Sequence, residues 1–153
     1  MSTATPAHLS ALYEQDETAW LDANAALIRE GKLDEVDFAH LAEFLEDMAK
    51  RDRREVKTRL TVLMAHLLKW QFQPQKRSRS WLVTLYHQRD ELSDLIEHGV
   101  LRNHALDVLD IAYSRAVIQA AAETELPESA FPTSCPYSID ALLTVSESAD
   151  DLP

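Results

Sequence analysis

Only two glycines occur in 153 residues, and this scarcity limits the folds that the chain can adopt. Tight β-hairpin turns need residues with positive φ, which glycine supplies most readily. A protein built on hairpins would therefore need more glycine than this chain contains. The 46% of hydrophobic residues in a chain of this length is typical of a globular protein with one ordinary core. We therefore predict an all-α fold, a single-domain bundle of about five helices.

Apolar residues at three- and four-residue spacing indicate where most of the helices lie. The spacing predicts helices over 6–30, 81–96 and 101–123. Gly31 is expected to end the first of them and Gly99 to end the second, since glycine readily adopts the left-handed conformation that follows a helix.

The stretch 34–72 contains neither glycine nor proline, so its division into helices is less direct. Asp52 followed three residues later by Glu55 is typical of a helix N-terminus. We therefore expect two helices here, with a break near 51–54. The alternative is one continuous helix, which would be unusually long for a globular domain.

The C-terminal part of the chain differs in composition from the helical part. Three prolines lie within ten residues of one another: Pro127, Pro132 and Pro136. They exclude regular helix and predict a proline-rich strap, after which Ser138 caps a short turn that ends near Leu143. We expect a helical bundle domain over 1–143 and an acidic, flexible tail over 144–153.

The compartment is predicted from the absence of sorting signals and from cysteine usage. The first residues lack the basic and apolar regions of a signal peptide, and no apolar run has the length of a membrane span. Cys135 is the one cysteine, so an intrachain disulfide is excluded, and no Cys/His array for zinc is present. We expect a cytoplasmic protein with no membrane association, no metal and no cofactor.

The charge is distributed unevenly along the chain. The net charge is -11, yet 50–79 holds ten basic residues against two acidic ones, so that segment carries +8 and the rest of the chain -19. Such polarity indicates either an anion-binding face or basic helices that dock against acidic ones. The sequence leaves both interpretations open.

The end of this basic segment mixes cations with aromatic side chains, which suits the binding of phosphates or the stacking of bases, although an ordinary helix connector has the same composition. The candidates for partner or anion binding are His66, Lys69, Trp70, Lys76, Arg77, Arg79 and Trp81.

A second group of candidates consists of charged residues at core-facing helix positions. Asp16 lies four residues from both Leu12 and Trp20, and Arg89 lies between Leu85 and Leu92 in the same way. A buried arginine needs a carboxylate partner, because an unpaired buried charge costs several kcal/mol. The candidate partners of Arg89 are Asp16, Glu43 and Glu46, and the four residues form a predicted buried polar network.

Some blocks of the sequence resemble a known family. The most specific are HLLKWQ at 66–71 and RSRSW at 77–81, and shorter matches lie at 12–16, 41–43, 88–89, 131–132 and 135–137. They resemble the bacterial domain of unknown function 29 family over about 12–143. The resemblance implies a small helical bacterial protein and no particular activity. The family pattern falls on Asp16, Trp20, Glu43, Glu46, His66, Lys69, Trp70, Trp81 and Arg89.

Three functional hypotheses follow. The first is a helical interaction module that binds a protein or another anionic partner, with homodimerisation as one form of it. The second is a nucleic-acid-associated protein that uses 50–79, which the net charge disfavours. The third is an enzyme or metal protein built on Asp16, Glu43, Glu46, His66 and Arg89. The chain has no recognisable catalytic motif. It also lacks the Glu-x-x-His pair with which di-iron helical bundles bind metal, and Asp37 with His40 is the nearest substitute.

Overall fold

The computed structural model of the protein describes residues 6–153, and all of its regular elements are helices. The α-helices within that range are α1 (Pro6–Gln15), α2 (Glu17–Arg29), α3 (Phe38–Phe72), α4 (Arg79–Leu95), α5 (Val100–Thr124) and α6 (Ile139–Leu143). No β-strand occurs between residues 6 and 153, so the predicted all-α fold is confirmed. No helix in the described part of the chain combines the length and the apolar character needed to cross a bilayer. The chain divides into two compact units between Lys50 and Arg51, within α3.

The single first helix predicted over 6–30 is wrong, because the chain breaks it at Asp16. The backbone of Asp16 leaves the helical region, with φ -155° and ψ 84°, and its side chain accepts a hydrogen bond of 3.1 Å from the Ala19 N–H. Asp16 is therefore the N-cap of α2 and is exposed. Apolar spacing continues through this position, and for that reason periodicity alone missed the cap.

The break predicted near 51–54 is also wrong, since α3 runs without interruption for 35 residues. At 1.5 Å per residue it is about 52 Å long. Asp52 caps nothing here, and Glu55 instead accepts a hydrogen bond of 2.8 Å from Arg59 Nε, one turn further along the same helix. Such pairs favour helix continuation, and no glycine or proline opposes it.

In the first unit, Asp37 forms hydrogen bonds with Trp20, Asn24 and His40. Its carboxylate accepts a hydrogen bond of 3.0 Å from Trp20 Nε1 and one of 2.8 Å from His40 Nδ1, while its backbone N–H donates to Asn24. Trp20 and Asn24 are almost completely buried, and the Tyr13 ring stacks on His40 with 4.4 Å between centroids. Asp37 therefore links α2 to the first turn of α3.

The core of the second unit is formed by the remainder of α3 together with α4, α5 and α6. Its largest fully buried side chains are Leu60, Leu63, Met64, Leu68, Leu85, Leu92, Ile96 and Leu142. Four alanines of α5 are fully buried: Ala105, Ala112, Ala116 and Ala120. Side chains this small allow neighbouring helices to approach closely.

Glycine or serine lies at several of the helix ends. Gly31 has φ +73° and follows α2, as predicted, and the Lys32 N–H donates to the Leu27 carbonyl in the manner of a Schellman motif. Gly99 does not end α4, which stops at Leu95; it is the N-cap of α5, with φ +81°. Ser138 caps α6, as predicted.

The segment after α5 contains only a 3₁₀ turn, Glu128–Ala130, in agreement with the effect expected of its prolines. Phe131 from this segment is buried and contacts Phe72 edge-on, with ring centroids 5.4 Å apart. The Tyr113 hydroxyl donates a hydrogen bond to the Pro132 carbonyl, which connects the segment to α5.

Arg89 is buried and paired, as the sequence predicts, but its partner is Glu147. Arg89 Nη2 lies 3.0 Å from Glu147 Oε2, both side chains are about 95% buried, and Arg89 Nε donates to the Leu142 carbonyl at 2.8 Å. The prediction that Asp16, Glu43 or Glu46 pairs with Arg89 is therefore wrong. The flexibility of 144–153 stays a prediction, although this segment contributes a buried carboxylate.

We expect Asp37→Asn to destabilise the protein in a pH-dependent way. Burial favours the neutral carboxyl, but hydrogen bonds from Trp20 and His40 outweigh it and hold the pKa of Asp37 below its usual value. The ionised group therefore stabilises the folded chain above pH ~4, and this contribution is lost as the pH falls through the lower, folded pKa. Urea unfolding should show a loss on the order of 1 kcal/mol at pH 7 and a smaller one near pH ~3. Exposed Asp34→Asn is the control, and a pH-independent loss would contradict this account.

We expect Glu147→Ala to lower the free energy of unfolding in urea by about 3 kcal/mol, because it leaves Arg89 buried without its carboxylate. Asp150→Asn removes an equal charge from an exposed side chain in the same segment and should change the free energy by less than ~0.5 kcal/mol. Equal effects of the two substitutions would mean that net charge matters here and the ion pair does not.

Candidate functional site

Lys69 on α3 is a predicted binding residue whose charge is neutralised inside the protein. Its Nζ lies 2.6 Å from Glu123 Oε2 on α5 and 4.8 Å from the centroid of the Trp81 ring. Partial burial favours the neutral form of Glu123, but the hydrogen bond and charge of Lys69 hold the pKa of this carboxyl below its usual value. Lys69 is only 6% exposed, so its ammonium group is little available to an outside partner.

Arg77 lies in the connector, by which we mean residues 73–79 from the end of α3 to the first residue of α4. It is also occupied by internal contacts. Its guanidinium carbon lies 4.8 Å from the centroid of the Trp70 ring, and its Nε donates to the Trp70 carbonyl at 2.8 Å. Trp70 itself is only 4% exposed. The connector therefore presents Lys76 and Arg79 as its exposed cations, while the aromatic ring of Trp70 is not available for stacking bases.

His66 precedes Lys69 by one turn of α3 and is half-buried. Its Nδ1 donates a hydrogen bond of 2.9 Å to the Val62 carbonyl, which leaves Nε2 as the unprotonated nitrogen of the neutral ring. Burial, reinforced by the charge of Lys69, lowers the pKa of His66, although the Val62 carbonyl and Glu123 act in the opposite direction. The lowered pKa favours the neutral ring of His66 at pH 7, so this residue contributes little positive charge to the basic segment.

A groove between α3 and α4 is lined by three arginines from the earlier part of the basic segment. We call it the basic groove; it has a volume of about 650 Å³ and is lined by Arg51, Arg54, Glu55, Thr58, Arg59, Val62 and Gln88. Residues three, four, seven and eleven positions apart on a helix share one face, so α3 supplies most of the wall. Three guanidinium groups against one carboxylate give the groove a positive charge.

The three arginines of the basic groove have different environments. Arg59 is held by Glu55, by Gln88 Oε1 at 3.2 Å and by Glu91 at 3.7 Å. Arg51 and Arg54 are exposed, and within residues 6–153 they have no described hydrogen bond or ion pair. Arg59 therefore fixes the wall of the groove, while Arg51 and Arg54 are available to an anion.

A second, smaller concavity lies on the α5 side of α3. It measures about 220 Å³ and is lined by Lys57, Thr58, Thr61, Val62, Arg115 and Gln119. It shares Thr58 and Val62 with the basic groove and contains no acidic residue. Positive charge therefore extends to both sides of α3.

The buried polar network predicted for Asp16, Glu43, Glu46 and Arg89 does not form as expected. Asp16, Glu43 and Glu46 are exposed residues of the first unit. Arg89 and His66, in the second unit, have separate partners: Glu147 with the Leu142 carbonyl, and the Val62 carbonyl. Sequence reasoning missed Glu147 because it lies 58 residues beyond Arg89, in a segment with few apolar residues.

Ser10, His40 and Asp37 form a cluster that resembles the residue types of a hydrolase triad. Ser10 Oγ lies 3.3 Å and Asp37 Oδ2 2.8 Å from the same ring nitrogen, His40 Nδ1. A triad needs the hydroxyl and the carboxylate on opposite ring nitrogens, so that one activates the nucleophile while the other orients the ring. The cluster therefore does not have the geometry of a triad. No group of three His, Cys, Asp or Glu side chains between residues 6 and 153 is arranged to hold a metal ion.

A family model, the Domain of unknown function DUF29, matches residues 12–146. The chain therefore belongs to this family, in agreement with the resemblance of its sequence blocks. No curated protein and no solved structure matches the chain.

We expect the apparent pKa of His66, followed by NMR of its ring protons, to lie below ~6.5, the ordinary value for histidine. Glu123→Gln should lower it further, because the variant removes a carboxylate that favours the protonated ring. Glu97→Gln, which removes an equal charge from an exposed position outside this contact, is the control. A pKa that stays the same or rises in Glu123→Gln would contradict the contacts described for His66.

Proposed function

We propose that this member of the DUF29 family is a helical interaction module that binds an acidic partner through the basic groove. The observation that carries the proposal is the pair Arg51 and Arg54, two exposed guanidinium groups one turn apart on α3 without a described partner inside the protein. The planar guanidinium group pairs readily with carboxylates, and this chain has an excess of carboxylates. Two free guanidinium groups in such a chain are therefore consistent with recognition of an anion.

The groove supports this function better than the connector that follows α3. Lys69 and Arg77, which the sequence makes candidates for partner binding, are engaged with Glu123, Trp81 and Trp70. Their contacts favour a role in packing α3 against α4 and α5. The binding surface that we propose therefore lies earlier in the basic segment, within 51–62.

A binding role requires no catalytic group, and the described side chains favour it over an enzyme. The His40 cluster has the wrong geometry for nucleophilic catalysis, and burial raises the pKa of the Cys135 thiol, which disfavours the reactive thiolate. We place this function in the reducing cytoplasm of a bacterium, a setting supported by the free thiol of Cys135.

We expect the double variant Arg51→Glu with Arg54→Glu to weaken the binding of a fluorescein-labelled hexaglutamate peptide about tenfold or more at low salt, because repulsion replaces attraction at the groove. Fluorescence anisotropy at several salt concentrations measures the loss. The matched control is Lys76→Glu with Arg79→Glu, which makes the same change in net charge at the exposed cations of the connector.

The control variant should bind the peptide within about twofold of the unaltered protein, since mainly long-range electrostatics changes. A greater loss in the control than in the groove variant would place the binding surface at the connector. Absence of binding by the unaltered protein at low salt would contradict the proposal itself.

A further inference from the structure

The positive charge of the basic groove is concentrated at one end. Arg51 and Arg54 span a single turn of α3 and are both exposed. Beyond them the groove contains Glu55 and Arg59, which neutralise each other, and Glu91 lies 3.7 Å from the Arg59 guanidinium. Free positive charge in this groove therefore extends over about one helical turn and does not follow its full length.

The other end of the groove is less polar. Thr58 and Val62 lie one turn apart on α3, and Val62 is half-buried. Their methyl groups give this end a surface that an aliphatic side chain can cover. The distance along α3 from Arg54 to Val62 is about 12 Å, and from Arg51 about 16 Å, at 1.5 Å per residue. Within the groove the free cations thus lie at one end and the Val62 surface at the other, and we call this a bipolar site. Lys57 and Arg115 line the adjoining concavity on the α5 side of Thr58 and Val62.

This layout fits a polypeptide better than a nucleic acid. A nucleic acid strand carries one negative charge per nucleotide at regular spacing, so a strand laid along the groove would bring phosphates towards Glu55 and Glu91. An extended peptide rises about 3.3 Å per residue and crosses 12 to 16 Å in four or five residues. Its charge can be confined to the end that meets Arg51 and Arg54.

Resting on the proposed function, we infer that the partner is an acidic peptide segment with carboxylates at one end and an aliphatic side chain four or five residues away. The carboxylates pair with Arg51 and Arg54, and the aliphatic side chain packs on Val62. The polar wall between them, formed by Arg59 and Gln88, faces the backbone of the segment.

The test uses the full chain and three labelled probes in anisotropy titrations. The first is the capped peptide Glu-Glu-Ser-Ser-Ser-Leu, the second has serine in place of the leucine, and the third is a thymidine oligonucleotide of six residues. The leucine peptide should bind about fivefold tighter than the serine peptide, in line with ~1 kcal/mol for a partly buried leucine. The oligonucleotide should bind more weakly than either peptide.

Val62→Thr replaces a methyl group with a hydroxyl of similar size, so it should reduce the leucine-to-serine ratio to near one. The control is Val83→Thr, at an exposed position of α4 outside the groove, where the fivefold ratio should persist. The comparison of the two peptides on the unaltered protein does not depend on the folding of either variant.

Each other result has a distinct meaning. Equal affinities for the two peptides, or a ratio that Val62→Thr leaves intact, would overturn the bipolar site and leave the proposed anion binding in place. An oligonucleotide that binds as tightly as the leucine peptide would overturn the inference that the partner is a polypeptide. Binding of none of the three probes would overturn the proposed function together with the inference.

Discussion

The continuity of α3 is the constraint on which the rest of the described structure depends. In its first turn the His40 N–H donates a hydrogen bond to the Asp37 carboxylate. Its later turns carry the core residues Leu60 and Leu63 on one side and Arg51 and Arg54 on another. A helix rotates by about 100° per residue, so the direction of one side chain fixes that of the others. A break near 51–54 would have uncoupled the arginines from the core that orients them. The position of the basic groove is therefore a consequence of helix geometry.

Much of the fold could be predicted from the sequence, because helices that pack on a core repeat apolar residues every three or four positions. The buried alanines of α5, the end of α2 at Gly31 and the capping of α6 by Ser138 follow from local chemistry. The two errors in helix boundaries have opposite causes. Apolar spacing continues through the cap at Asp16, whereas Asp52 has the residue type of a cap but lies within a helix that nothing interrupts.

The roles of Lys69 and Arg89 could not be predicted, because each depends on an acid that is distant in the sequence. Lys69 meets Glu123 54 residues later, and Arg89 meets Glu147 58 residues later. Their partners are selected by the packing of α3 and α4 against α5 and the C-terminal segment, which has no periodic signal. The sequence indicates that 50–79 is basic, but only the tertiary contacts separate cations that stabilise the fold from those, such as Arg51, that remain exposed.

Because Glu147 follows Arg89 by 58 residues in the sequence, the ribosome adds the arginine well before its carboxylate partner. At ordinary translation rates of about 5 to 20 residues per second, a nascent chain carries Arg89 for roughly 3 to 12 s before Glu147 has been added. During that interval α4 has no carboxylate at this site, and burial of its guanidinium would cost several kcal/mol. The final closure of this part of the core therefore waits until Glu147 has left the ribosome, although most of its apolar side chains emerge earlier.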